Sequence, residues 1–185
     1  MGASCSAYVL RGVEMDQREM VKPIHDAIFE GSKELQEIFF ERWAQWYSFA
    51  VSDVMLLTDG CDVQFADAVV TGDDPSHAYS VRIAIFTEQL LISVTAEVND
   101  DGERHTTRAC NRADLKSLEV AAGTGALGNT WPANWPGTVR VKLDYGDAEP
   151  LRLPGGKSAD GAQYARLTAL LPSLIADLTA TQGAR

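Results

Sequence analysis

The sequence predicts an α+β chain: a long helical N-terminal arm, a run of seven short antiparallel strands and a closing C-terminal helix. Three observations predict it. Between Met20 and Leu57 apolar residues recur at spacings of three, four or seven, the period of one helix face. After Gly60 the period drops to two, as on a pleated strand. From Tyr164 it returns to three and four.

The arm's stripe is Met20, Ile24, Ile28, Leu35, Phe39, Trp46 and Phe49. Asp16 with Glu19 resembles a capping box for an early start. Pro23 argues for a start there or a kink, because proline suits the first helical position. Gly31 weakens the helix slightly. From Ile38 the arm is apolar nearly all round, through Phe39, Phe40, Trp43, Trp46, Tyr47, Phe49, Val51 and Val54. Such a helix is buried on two sides. It lies either between the strands and a partner or in the core of a single fold, and both readings stay open. Thr58-Asp59-Gly60 ends it.

Strands are expected at 62–70, 79–86, Leu90 to Val98, 104–110, 115–121, Val139 to Leu143 and 149–153. Gly72-Asp73-Asp74-Pro75-Ser76 is a turn cluster. Thr87-Glu88-Gln89 is a tight connection. Asn99-Asp100-Asp101-Gly102 is the best hairpin turn, because Asp-Gly readily adopts positive φ. A long loop covers 122–137. The last helix is expected from Asp160 to Thr181, capped by Ser158 or Asp160 and kinked at Pro172. Its stripe is Tyr164, Leu167, Leu171, Leu174 and Leu178.

The 185 residues are 45% hydrophobic and 23% charged, enough for a core that needs no disulfide or metal. A net charge of -10 repels nucleic-acid phosphates, so direct nucleic-acid binding is not expected. An acidic nucleic-acid mimic that inhibits a DNA-binding partner is one alternative. Cys5, Cys61 and Cys110 are an odd, widely spaced set without a CxxC pair, which fits a reducing, cytoplasmic setting and no zinc framework. No basic segment leads into an apolar core at the start, so no secretory signal is expected. No apolar run reaches the roughly 20 residues of a membrane span. Met1-Gly2-Ala3-Ser4-Cys5-Ser6 matches an acylation pattern, with Gly2 as myristoyl site and Cys5 as second anchor. It predicts membrane anchoring only in a eukaryote.

No stretch specifies a reaction. Gly123-Thr124-Gly125-Ala126-Leu127-Gly128 reads G-x-G-x-x-G, with Asp144 about 20 residues on. The helix that should hold a pyrophosphate there is ruled out by Pro132, Pro136 and Gly137. Kinase signatures are absent as well. His105 and Cys110 are five apart, which puts them on opposite faces of one strand. His25 sits on the polar side of the helix and His77 in a turn. Asp59, Asp62, Asp67, Asp73 and Asp74 cluster without calcium-loop spacing and read as solvated loop acids. No catalytic residue, metal site or cofactor is expected. The Pro/Gly loop holds Trp131 and Trp135, and loop tryptophans favour interfaces.

Ile83 to Ile92, a hairpin around a short turn, and Arg112 to Val120, a polar lead-in to a strand, together with the element order, resemble the pleckstrin-homology-like superfold over residues 62–181. The resemblance implies a strongly bent seven-stranded sheet, a partly open barrel, plugged at one end by the last helix through Leu167, Leu171 and Leu174. It divides the chain into a helical arm, 1–60, and a β-domain with its helix, 61–185. Many members bind phosphoinositide headgroups through basic residues at the first inter-strand loop. Here that loop, Thr71 to His77, has two acids and no Lys or Arg, so that function does not carry over. The fold's other common use, protein–protein interaction, remains. The expectation is a non-enzymatic interaction module or assembly subunit, with Phe40, Trp43, Tyr47, Trp131 and Trp135 at its contacts. A small-ligand or lipid carrier, with its cavity between sheet and helices, is the alternative.

Overall fold

Among the described residues seven strands form, as two antiparallel sheets rather than one continuous sheet. The computed structural model describes residues 17–41, 44–59, 61–74, 78–123, 136–146, 149–156 and 159–183. The first sheet runs in the order β1 (Phe65–Asp74), β2 (Ala78–Phe86), β3 (Leu90–Asn99), β4 (Gly102–Asn111). The second is β5 (Ser117–Ala122), β6 (Val139–Asp144), β7 (Leu151–Leu153). Among the described residues no barrel closes.

Two of the expected turns are seen among the described residues, while β1 runs on through Asp74 into the expected turn at 72–76. Asn99 pairs with Gly102, whose φ is 125°, and the Asn99 carboxamide accepts from Asp101 N at 3.0 Å. At the β2–β3 turn the Thr87 hydroxyl accepts from Leu90 N at 3.0 Å. The register then fixes two faces, because alternate residues point to opposite sides. One face carries Ala66, Ala68, Tyr79, Val81, Ile83, Ile85, Ile92, Val94 and Ala96. The other carries Phe65, Ala84, Phe86 and Leu91 at one end and, apart from Val69, polar residues over the rest.

The first face packs against the N-terminal helices. They are three: α1 (Gln17–Glu30), α2 (Lys33–Glu41) and α3 (Gln45–Thr58). The single long helix expected from the periodicity is therefore corrected. It breaks at Gly31-Ser32, where a Cβ on residue 31 would come 2.6 Å from the Ala66 carbonyl oxygen of β1. Ser32 caps the new helix, its Oγ accepting from Leu35 N at 3.2 Å. The second break precedes α3. There no local side chain caps the helix, and Glu103 of β4 accepts from Trp46 N at 3.0 Å instead. A carboxylate at a helix N-terminus also meets the positive end of its dipole. α3 ends at Asp59, in the left-handed region at φ 47°. Ile28, Leu35, Trp46, Val54, Ile83 and Val94 are buried where helices and sheet meet. Each contributes about 1.5–3 kcal/mol of apolar burial.

The second core joins Phe65, Phe86 and Leu91 to the inner side of β5–β7 and to α4 (Gly161–Gly183) through Leu167, Leu170 and Leu174. Leu167 and Leu174 lie inside as expected, and Leu171 is only half-buried. Asp160 caps α4, its carboxylate accepting from Gln163 N at 3.0 Å. The helix continues through Pro172. No helix of the described residues is long and apolar enough to cross a membrane.

Candidate functional site

Among the described residues the large exposed apolar side chains are three on α3 and one each on β5 (Val120) and α4 (Ile175). The inward side chains of α3 are Trp46, Tyr47, Ala50, Val51, Val54 and Thr58, all buried. On the opposite side Phe49 is 53% exposed and Leu56 83%, while Leu57, two turns beyond Ala50 at the end of the inward face, is 38% exposed. Residues seven apart lie two turns along one helix face, so Phe49 and Leu56 form a stripe, with Ser52 and Asp53 between them. One large apolar residue on a surface needs no explanation, whereas a contiguous stripe does.

The stripe is held in place from β4. Asp53 Oδ2 accepts from Thr107 Oγ1 at 2.8 Å and pairs with His105 Nε2 at 3.1 Å. The Phe49 ring stacks on the His105 ring, with centroids 6.2 Å apart and planes 5° from parallel. Phe49, Asp53, His105 and Thr107 therefore make one half-open cluster that bridges helix and strand. Beside its His–Asp pair the Thr107 hydroxyl donates to the carboxylate. Cys110 is on the opposite face of β4, as the spacing of five implies, against the second core. Burial pushes the Cys110 thiol up, and Asp114 adds to the effect.

Of the residues expected at contacts, Tyr47 is corrected. It is 1% exposed, packed with Phe29, Phe39 and Trp46, and its hydroxyl meets His25 Nδ1 at 3.1 Å. Burial raises the Tyr47 phenol well above the usual tyrosine range, helped by the Asp26 charge. Trp43, Trp131, Trp135, Gly2, Cys5 and most of the G-x-G-x-x-G segment lie outside the described residues, as does the Phe40 side chain. Phe49 was expected on the same face as Trp46, yet it points outward. The buried arc of α3 runs from Trp46 through Ala50 and Val54 to Tyr47, Thr58 and Val51, and Phe49 lies beyond its Trp46 edge.

Two buried charged groups tie the elements together. Asp67, expected as a solvated loop acid, is instead buried on β1. Its carboxylate accepts from Gly155 N at 2.9 Å and from Gln163 Nε2, and burial pushes its pKa up to about 6. Arg112 is buried beside the second core, and its guanidinium donates to Asp177, Gln64, the Thr87 carbonyl and Ser173 at 2.5–2.9 Å. Both groups are held by hydrogen bonds from several elements of the protein itself, which marks them as structural. Among the described residues no group of three or more His, Cys, Asp or Glu is placed to hold a metal ion.

No protein family, no curated protein and no solved structure matches this chain.

Proposed function

We propose that the chain is a non-enzymatic protein–protein interaction module that docks a partner on the outer stripe of α3. The observation that carries this reading is the exposure of Phe49 and Leu56 on a helix whose other side carries buried residues. Apolar side chains at the centre of a patch, with a polar rim, are the anatomy of a contact surface. The partner presents an apolar surface with a basic rim. Asp53 and Asp59 flank the stripe, and the chain carries a net charge of -10.

The element order supports a pleckstrin-homology-like framework for this module: four antiparallel strands, three antiparallel strands, then a closing helix. On such a framework the three N-terminal helices are an addition that covers one sheet face and supplies the contact surface. This is an analogy at fold level, and the residues of α3 carry the functional claim.

The test is quantitative affinity capture from the native source with the wild-type chain and with the double variant Phe49→Ser, Leu56→Ser. The reading expects a stoichiometric partner with the wild type and its loss with the variant, at an unchanged melting temperature. An identical set of captured proteins from both would sink it.

A further inference from the structure

The face of the four-stranded sheet opposite the helices carries three arginines: Arg104 and Arg108, which no ion pair joins to a described carboxylate, and Arg82, whose charge also acts on the buried Asp67 carboxylate. The register sets them in adjacent rows. Val69, Arg82, Thr95 and Thr106 form the middle row. Asp67, Ala84, Ser93 and Arg108 lie on one side of it, and Thr71, Ser80, Glu97 and Arg104 on the other. Thr95, Glu97, Arg104, Thr106 and Arg108 are exposed, and Arg82 is half-buried.

Lys22, Lys33, Arg112, Lys142 and Arg166 each hold a carboxylate. No ion pair joins Arg82, Arg104 or Arg108 to a described carboxylate. Glu97 stands opposite Arg104 in the register without closing a pair. Asp67 accepts from Gly155 N and Gln163 Nε2, and the Arg82 charge acts on it without closing an ion pair. In a chain with 26 acidic and 16 basic residues, Arg82 beside Arg104 and Arg108, the latter two without an ion pair to a described carboxylate, is a local concentration of positive charge.

Their spacing suggests what they fit. At about 3.4 Å per residue, Arg104 and Arg108 have Cα atoms about 13–14 Å apart along β4. Arg82, two strands away at about 4.8 Å per strand, is about 12 Å from each. The Thr95 and Thr106 hydroxyls lie inside this triangle. An extended polypeptide repeats side chains on one face every second residue, so acids four apart also span about 13–14 Å. Guanidinium forks hold carboxylates through paired N–H donors.

We propose that this face binds an extended acidic segment of a protein partner. Carboxylates four residues apart lie on Arg104 and Arg108, and a third carboxylate lies on Arg82. A long polyanion fits less well, because the net charge of -10 repels nucleic acid and anionic membrane beyond the patch. The site lies across the sheet from α3, so it stands or falls independently of the α3 surface.

The test is fluorescence anisotropy on the full chain with a short labelled Val/Thr peptide bearing glutamates four residues apart. The wild type should bind it, and Arg104→Gln and Arg108→Gln should each weaken binding about tenfold. A peptide with glutamates three apart, on opposite faces of the strand, should bind about tenfold more weakly. Failure of the wild type to bind overturns the proposal. So does equal binding by the Arg104→Gln, Arg108→Gln double variant. So does tighter uptake of a single-stranded oligonucleotide or of phosphatidylserine vesicles that the same variants abolish.

Discussion

Gln163 of α4 donates from its side-chain nitrogen to the Asp67 carboxylate of β1, and the same nitrogen reaches the Gly31 carbonyl at 2.7 Å. One amide thus links the closing helix, the first strand and the corner between α1 and α2. It does so in a buried setting, where each polar group needs its partner.

That linkage has a pH signature. Asp67 has a folded pKa of about 6 against an ordinary 3.8, because burial disfavours its charge. The folded chain therefore holds the proton more tightly than the unfolded chain does. The stability from this group is complete below about pH 4 and is lost as pH rises through 6, by no more than ~3 kcal/mol. Asp67→Asn removes the titration but turns one donor toward Gly155 N. Urea midpoints measured from pH 4 to pH 7 should show the wild type losing stability relative to Asp67→Asn as pH rises. Parallel curves would show that Asp67 titrates alike in both states.

Arg112 is the second tie. Its donors are all engaged, and its guanidinium lies 5.8 Å from the Phe86 ring centroid. Arg112→Ala leaves the Asp177 carboxylate, the Gln64 amide and the Thr87 carbonyl without their partner. It should cost about 3–5 kcal/mol in chemical denaturation. Arg112→Lys keeps the charge but not the fork, and should recover only part of the loss. Full recovery by lysine would mean that charge alone matters here.

Glycine positions give a paired comparison. Gly31→Ala pushes a Cβ against the Ala66 carbonyl, which is backbone and cannot swing away. It should cost about 1–3 kcal/mol. Gly161→Ala meets nothing within 4 Å at the start of α4 and should be neutral or stabilising by about 0.5–1 kcal/mol. Thermal melts of the two variants against wild type check the contrast.

These residues also show how far the sequence is legible. The strands were readable because each is bounded by its own turn chemistry, such as Asn99 to Gly102 and the Thr87 hydroxyl. The breaks in the helical arm were not, because their causes are distant in sequence. Gly31 is required by the Ala66 carbonyl, and α3 is capped by Glu103, 57 residues after Trp46. Gly31-Ser32 was the one local signal, a glycine followed by a capping serine. The same long-range causes hid the candidate surface. The aromatic half of the arm stood out in the sequence, but the phase of α3 turns Tyr47 inward and Phe49 outward. The arginine face was hidden too, because register brings Arg82 beside Arg104 and Arg108 from another strand.

The α3 surface is tested most directly by a photo-crosslinking residue at position 56 of the full chain in its native source, with exposed Arg140 on β6 as control position. The account predicts a discrete adduct of one partner from position 56, absent from position 140 and lost when Phe49→Ser is added. No adduct from position 56, or the same adduct from both positions, would contradict it.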